Sequence, residues 1–130
     1  MNKIIKIAVD AMGGDGSPKK IIDGIFHHYQ KNKNTYYQIF GDKDKIQSYI
    51  SKDLPNISFE IIHTSETVKG TDTPLEAAKR GKNTSMWLAI QSVKEKKSDI
   101  VISAGNTGGL LVISKLNLKM IETPSYFLID

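Results

Sequence analysis

Short apolar runs recur along the chain, and longer amphipathic stretches separate them. The runs are rich in isoleucine, valine and aromatic residues, which is typical of β-strands buried in a sheet. They cover residues 4–9, 36–40, 57–63 and 100–102. Strands that alternate with helices predict βαβ units joined by right-handed crossovers. The expected fold class is therefore α/β, with a mainly parallel sheet.

The stretches between the strands have helical spacing, and two of them carry start signals. Ser17 followed by Pro18 predicts a serine N-cap with proline at the first helical position. Thr73 and Glu76 have the spacing of a capping box, which predicts a short basic helix that ends near Lys82. Further helices are expected through residues 43–50, over residues 86–97 and from residue 110 onward.

Glycine-rich loops follow the first and fourth strands, over residues 10–17 and 103–109. The carboxyl ends of parallel strands share one edge of a sheet, so both loops are expected there, beside the polar segment 64–72. The second loop leads into a helix N-terminus, whose unpaired N–H groups and dipole favour an anion. An anion site and a simple helix cap by Asn106 or Thr107 both fit this pattern.

Composition narrows the class of protein. The 130 residues are 39% hydrophobic and 25% charged, which predicts one globular domain over 1–130. The absence of cysteine excludes disulfides, thiolate catalysis and cysteine-ligated zinc. No secretory signal and no apolar stretch of bilayer length are found, so a cytoplasmic protein is expected. The net charge of +4 comes from scattered lysines, with Arg80 the only arginine, which disfavours nucleic-acid binding.

Several common site patterns are missing from the glycine loops. Neither loop has the G-x-G-x-x-G spacing of dinucleotide-binding proteins, and no G-K-[ST] element of a P-loop is present. The G-x-S-x-G turn of serine hydrolases is also absent. Asp10 and Asp15 are the only nearby carboxylate pair, and turn chemistry accounts for them better than metal binding. No metal site is expected.

Blocks of residues in a fixed order carry a family resemblance: 7–15 (IAVDAMGGD), 62–66 (IHTSE), 85–86 (SM) and 103–108 (SAGNTG). Together they closely resemble the N-terminal part of the bacterial phosphate acyltransferase of phospholipid synthesis, the PlsX family, over residues 6–116. The resemblance implies the N-terminal portion of a doubly wound, Rossmann-like sheet, similar to isocitrate and isopropylmalate dehydrogenases. It also implies acyl transfer from acyl-(acyl carrier protein) to inorganic phosphate, no organic cofactor, a homodimer and peripheral membrane association.

The loop chemistry and the resemblance together nominate site residues. Phosphate is itself a nucleophile, so holding it against the thioester carbonyl and stabilising the oxyanion would suffice for catalysis. The expected phosphate cradle consists of Ser103, Gly105, Asn106, Thr107 and Gly108, with catalytic roles for Ser103, Asn106 and Thr107. The expected opposing wall consists of Asp10, Gly13, Gly14 and Asp15. Candidates for charge neutralisation or carrier contact are His63, Arg80 and Lys82, for which a strand-end histidine and a solvated basic helix are equally good explanations.

The end of the chain departs from the family pattern. Members of the family are much longer, and residues 121–130 do not resemble the expected continuation, which predicts a truncated fragment with an atypical tail. An acyltransferase that needs a second polypeptide is one interpretation. An inactive remnant or a phosphate-binding module is another. A dinucleotide-binding dehydrogenase fragment is a third, disfavoured by the missing glycine pattern.

Overall fold

A single parallel sheet forms the centre of the molecule. The computed structural model describes residues 3–118. The strands are β1 (Ile5–Asp10), β2 (Thr35–Gly41), β3 (Phe59–His63) and β4 (Ile100–Ser103). All pairings between them are parallel, and their order in the sheet is β3-β2-β1-β4. The expected α/β class with a parallel, Rossmann-like sheet is confirmed.

Helices cover both faces of this sheet. They are α1 (Lys19–Lys31), α2 (Lys43–Gln47), α3 (Pro74–Lys79), α4 (Ser85–Lys94) and α5 (Thr107–Leu118), and a short 3-10 helix spans Asn56–Ser58. On one face, α1 and α2 bury a core of Ile7, Val9, Ile22, Ile25, Tyr37, Ile39 and Ile46. On the other, α4 contributes Ala89 and packs against Ala8 and Phe40. A further cluster of Ala77, Met86, Ile90, Leu110 and Ile113 joins α3, α4 and α5.

The strand order places the topological switch point between β1 and β4. From β1 the chain builds outward through β2 to β3, then crosses back so that β4 pairs with the free side of β1. Asp10 lies opposite Ser103 in this pairing. In open parallel sheets, ligands bind at the carboxyl ends of the strands on either side of such a point. The two glycine loops therefore leave the sheet side by side.

Several element boundaries differ from the sequence-based expectations. The third strand begins at Phe59, because residues 56–58 form the 3-10 helix and leave Ile57 86% exposed. The helix after Ser17 begins two residues later, with Pro18 as an N-cap that makes no side-chain hydrogen bond. The Ser17 hydroxyl instead donates to the Gly13 carbonyl within the loop. The N-cap prediction for Ser17 is therefore wrong.

Among the other helix predictions, one start signal is confirmed and two boundaries differ. The Thr73–Glu76 capping box at the start of α3 is confirmed in both of its hydrogen bonds. The lysine-rich helix α2 ends at Gln47, before the predicted end near Ile50. Helix α5 starts at Thr107, three residues earlier than expected. Gly108 and Gly109 therefore belong to its first turn and not to the loop.

Two sequence-based expectations concern more of the chain than the structure describes. The atypical tail at 121–130 lies outside the described residues, as do parts of the domain predicted over 1–130. Within residues 3–118, no helix has both the length and the apolar content that a bilayer crossing requires.

Candidate functional site at the β1–β4 edge

Asp10 is the hub of the site. Its side chain is 2% exposed at the end of β1. One carboxylate oxygen accepts hydrogen bonds from the Ser85 hydroxyl at 2.6 Å and the Met12 amide at 3.1 Å, and the other accepts from the Ser103 hydroxyl at 2.8 Å. Burial raises the pKa of Asp10 above its ordinary value, and these hydrogen bonds oppose the rise. One carboxyl group thus ties β1, β4 and the start of α4 together.

The two glycine loops touch each other above this hub. A Cβ atom on Gly13 would lie 2.8 Å from the Gly105 amide nitrogen, so only glycine permits the observed backbone contact. Gly14, at φ +87°, lies against Ala104 in the same way, with its ideal Cβ position 2.7 Å from the Ala104 carbonyl oxygen. Ser103 supports the contact from below, because its hydroxyl accepts a hydrogen bond from the Gly105 amide at 3.2 Å. The predicted wall and the predicted cradle are therefore neighbours.

Asn106 connects the fourth-strand loop to the polar segment 64–72. Its side-chain oxygen accepts from the Gly109 amide at 2.8 Å, which makes Asn106 the N-cap of α5. Its side-chain nitrogen donates to the carbonyls of Asp72 at 2.6 Å and Lys69 at 3.1 Å. All its side-chain groups are engaged within the protein, so Asn106 is placed to orient the site.

The first turn of α5 offers the remaining donors. The amides of Thr107 and Gly108 donate no hydrogen bond within residues 3–118, because the side chain of Asn106 accepts only from the Gly109 amide. Thr107 is exposed and carries a hydroxyl beside these amides. Gly108 lies against Pro74 of α3, where a Cβ would approach to 2.7 Å. The helix start thus combines free N–H groups, a hydroxyl and the positive end of the dipole.

Arg80 is held by a carboxylate that the sequence analysis had not singled out. Its guanidinium donates to both carboxylate oxygens of Asp72, at 2.5 and 2.8 Å. Hydrogen bonding to Arg80 lowers the pKa of Asp72 to about 2. The Asp72 side chain is 5% exposed and also accepts from the Lys69 amide. Arg80 and Asn106 therefore meet at the same residue, one through its carboxylate and the other through its carbonyl.

A polar cavity opens beside this pair. Its volume is about 300 Å³, and its lining residues are Ser65, Glu66, Thr67, Lys69, Arg80 and Thr84. Thr84 is the N-cap of α4, with its hydroxyl accepting from the Trp87 amide. The cavity thus lies where the segment after β3 passes over the start of α4.

Other nominated residues lie apart from the hub. His63 stands at the end of β3, three strand spacings or about 14 Å from β4. Its Nδ1 accepts a hydrogen bond from the Lys43 amide at 3.1 Å, so it supports the start of α2. Asp15 and Lys82 are exposed, Asp15 in the first glycine loop and Lys82 after α3. The structure therefore does not bring His63 to the β1–β4 edge.

The sequence analysis did not nominate two residues that contribute hydrogen bonds to the site, Ser85 and Asp72. Ser85 is 1% exposed, and its amide also donates to the Glu66 carbonyl. In the sequence it stands among polar residues at a helix start, where a capping role is the usual explanation. Its distance of 75 positions from Asp10 gives no local signal of their contact. Asp72 lies within a polar segment, so its sequence neighbours likewise gave no signal of its contacts with Arg80 and Asn106.

Comparison with known proteins identifies the lineage. A family model described as "Fatty acid synthesis protein" matches residues 5–125. The chain belongs to this family. A relative named phosphate acyltransferase, from Pelagibacter ubique (strain HTCC1062), is 84% identical over 122 residues. The match covers 94% of this chain and 36% of that relative.

More distant members of the fatty acid synthesis family carry the same name. The phosphate acyltransferase of Streptococcus thermophilus (strain CNRZ 1066) is 41% identical over 121 residues, which cover 91% of this chain and 35% of the relative. That of Streptococcus pyogenes serotype M1 is 44% identical over 108 residues, covering 83% of this chain and 31% of the relative. The resemblance to phosphate acyltransferases is confirmed. The chain spans about a third of the length of these relatives.

Proposed function

We propose that this chain carries the phosphate-binding part of an enzyme that transfers an acyl group from acyl-(acyl carrier protein) to inorganic phosphate. The observation that carries the proposal is the contact of Gly13 with Gly105 at the switch point, beside the N-terminus of α5. The relatives named phosphate acyltransferase supply the acyl acceptor and the reaction type. The proposal extends to a homodimer in the cytoplasm that associates peripherally with membrane.

The reaction needs few groups from the protein. A phosphate oxygen attacks the thioester carbonyl carbon and forms the new C–O bond. The C–S bond then breaks, and the carrier leaves as a thiol that takes up the proton lost by hydrogen phosphate. Because phosphate is already a nucleophile, the protein has to hold it in line and stabilise the negative charge that develops on the carbonyl oxygen.

The nominated residues near the β1–β4 edge receive roles that match their contacts, whereas Asp15, His63 and Lys82 receive none. In this proposal, the amides of Thr107 and Gly108 and the Thr107 hydroxyl bind the phosphate, and Gly105 lets the anion approach the backbone. Ser103, Asn106 and Asp10 are positioning residues, because their side chains bond within the protein. Gly13 and Gly14 form the facing wall. Arg80 acts through Asp72 by holding the polar segment in place.

The cleanest test replaces Thr107, since its side chain has no described internal partner. Inorganic phosphate is expected to raise the unfolding temperature of the wild-type chain, because a ligand at 100 times its Kd adds about 2.7 kcal/mol of stability. Thr107→Ala should keep the fold and lose most of this response. Thr71→Ala, at an exposed threonine of the polar segment, is the matched control and should respond like wild type. An equal phosphate response in Thr107→Ala would remove the assignment.

Catalysis is tested separately from binding. The chain is incubated with acyl-(acyl carrier protein) and phosphate, alone and with a polypeptide equal to the remaining two-thirds of the Pelagibacter relative, and acyl phosphate is trapped with hydroxylamine. Phosphate-dependent acyl hydroxamate supports the enzyme. A phosphate response without product supports the phosphate-binding module, and a response to dinucleotide alone would favour the dehydrogenase interpretation.

A further inference from the structure

An apolar groove runs along the β1–β4 side of α1. Its volume is about 210 Å³, and its walls include Ile7, Val9, Ile21, Ile25, Tyr37 and Ile102. It lies on the face of the sheet opposite the Asp10 hydrogen bonds, because side chains alternate along a strand. Val9 immediately precedes Asp10, and Ile102 immediately precedes Ser103. The same two strand ends thus present polar groups to α4 and an apolar channel to α1.

The groove has a cation at its loop end. Lys20 lines the groove, and its side chain lies over Gly16 of the first glycine loop. A Cβ atom on Gly16 would lie 2.8 Å from the Lys20 Cδ. Lys20 forms no ion pair with any residue between 3 and 118. A channel with apolar walls and a positive charge at the end near the glycine loops is complementary to a molecule with an apolar tail and an anionic head.

Gly24 gives a second indication that the groove accommodates a ligand. It stands in the middle of the 13-residue α1 and lines the groove, yet a Cβ there would meet nothing within 4 Å. Glycine is a poor residue for a helix interior, and no described contact requires it here. The groove wall therefore carries no side chain at this position.

We propose that this groove binds the hydrocarbon chain of an acyl phosphate whose phosphate sits at the glycine loops. This inference rests on the proposed function, and it assigns the acyl chain to α1, β1 and β4. A cavity of about 150 Å³ holds a benzene molecule, so 210 Å³ corresponds to about eight carbon atoms. The chain length that fits is therefore medium, and longer tails extend into solvent.

A series of alkyl phosphates, which cannot transfer an acyl group, tests the groove by titration calorimetry. Affinity is expected to rise by up to about fourfold per methylene from butyl to octyl phosphate, and to level off beyond that length. Gly24→Leu adds a branched apolar side chain at the groove wall, where a Cβ meets no other atom within 4 Å, and leucine is the better helix former, so the fold is retained. This variant should bind octyl phosphate no better than butyl phosphate, while its affinity for inorganic phosphate stays at the wild-type value. Chain-length-independent affinity in the wild type would overturn the proposal.

The absence of cysteine from the chain permits a second measurement. In a Gly24→Cys variant, octyl phosphate at ten times its Kd should slow maleimide labelling about tenfold. Gln30→Cys, an exposed position on α1 that does not line the groove, is the control and should label at an unchanged rate. Unprotected labelling of Gly24→Cys overturns the proposal.

The outcomes separate this proposal from the proposed function. If inorganic phosphate binds but the alkyl chain adds no affinity, the groove assignment fails and the phosphate site stands. If octyl phosphate protects Gly24→Cys but inorganic phosphate causes no response, the proposed function fails. If the remaining two-thirds of the Pelagibacter relative protects Gly24→Cys and octyl phosphate does not compete, the groove is a protein interface, and the proposal is overturned.

Discussion

Replacing Ser85 by alanine tests whether the Asp10 network holds the β1–β4 edge together. Ser85 donates to the Asp10 carboxylate at 2.6 Å in a site where both residues are almost fully buried. A hydrogen bond to a charged group contributes about 1.5–3 kcal/mol to stability, and one between neutral groups about 0.5–1.5 kcal/mol. Ser85→Ala should therefore lower the free energy of unfolding by about 2–3 kcal/mol when Asp10 is ionised, and by about 1 kcal/mol when it is protonated.

The pH dependence gives this prediction a distinctive sign. Burial raises the pKa of Asp10 above 3.8, so the folded state holds the proton more tightly than the unfolded state. The stability that comes from this preference is complete below pH 3.8 and is lost as the pH rises through the folded-state pKa. The Ser85 hydrogen bond opposes the shift, so its removal raises the pKa of Asp10 further. The stability difference between wild type and variant should widen as the pH rises over this window.

Urea unfolding at a series of pH values measures the effect, and Ser114→Ala is its matched control. Ser114 is also buried, but its hydroxyl has no hydrogen-bond partner within the part of the chain that the structure describes. Removing that hydroxyl should leave stability unchanged or raise it by about 0.5 kcal/mol, because alanine is the better helix former. Equal effects of the two substitutions, or a Ser85→Ala effect that does not change with pH, would refute the role given to Asp10.

Two further predictions concern residues outside this network. Asp72→Asn should make the free energy of unfolding depend less on pH in acid. The ionised Asp72 side chain stabilises the fold above about pH 3.8, and this contribution is lost as the pH falls through its folded-state pKa of about 2. Acid titration followed by circular dichroism measures this, and an unchanged acid limb would contradict it. Lys96→Gly should raise the free energy of unfolding in a urea titration by about 1 kcal/mol, because Lys96 follows α4 at φ 61°. The control is Lys97→Gly, at a position without positive φ, and a similar gain there would contradict the backbone explanation.

Local patterns predicted the elements well wherever the signal was confined to neighbouring residues. The capping box at Thr73 appears as expected, because both of its hydrogen bonds join groups three residues apart. Predicted element boundaries were wrong where a side chain formed a hydrogen bond with a different partner from the expected one. Ser17 bonds back into its own loop. The early start of α5 depends on the Asn106 cap, which removes Gly108 from the predicted loop.

The site was harder to predict, since its decisive contacts are remote in the sequence. Ser85 and Asp10 are 75 positions apart, and Asn106 and Asp72 are 34 positions apart. The glycine loops suggested an anion site, but the pattern could not reveal that the side chains of Ser103 and Asn106 form hydrogen bonds within the protein. His63 was placed at the correct edge of the sheet, yet the strand order puts it on the far side from β4.

Hydrophobic spacing and glycine placement determined the parallel α/β class, the helix signals and the sheet edge at which the loops emerge, because these depend on residues close together in the chain. Family membership was likewise readable from short blocks of residues. Only the tertiary structure decided that β4 returns beside β1, since strand order depends on how helices pack across the whole sheet. That crossover brings Gly13 against Gly105, encloses Asp10 between two serines and leaves the apolar groove beside α1.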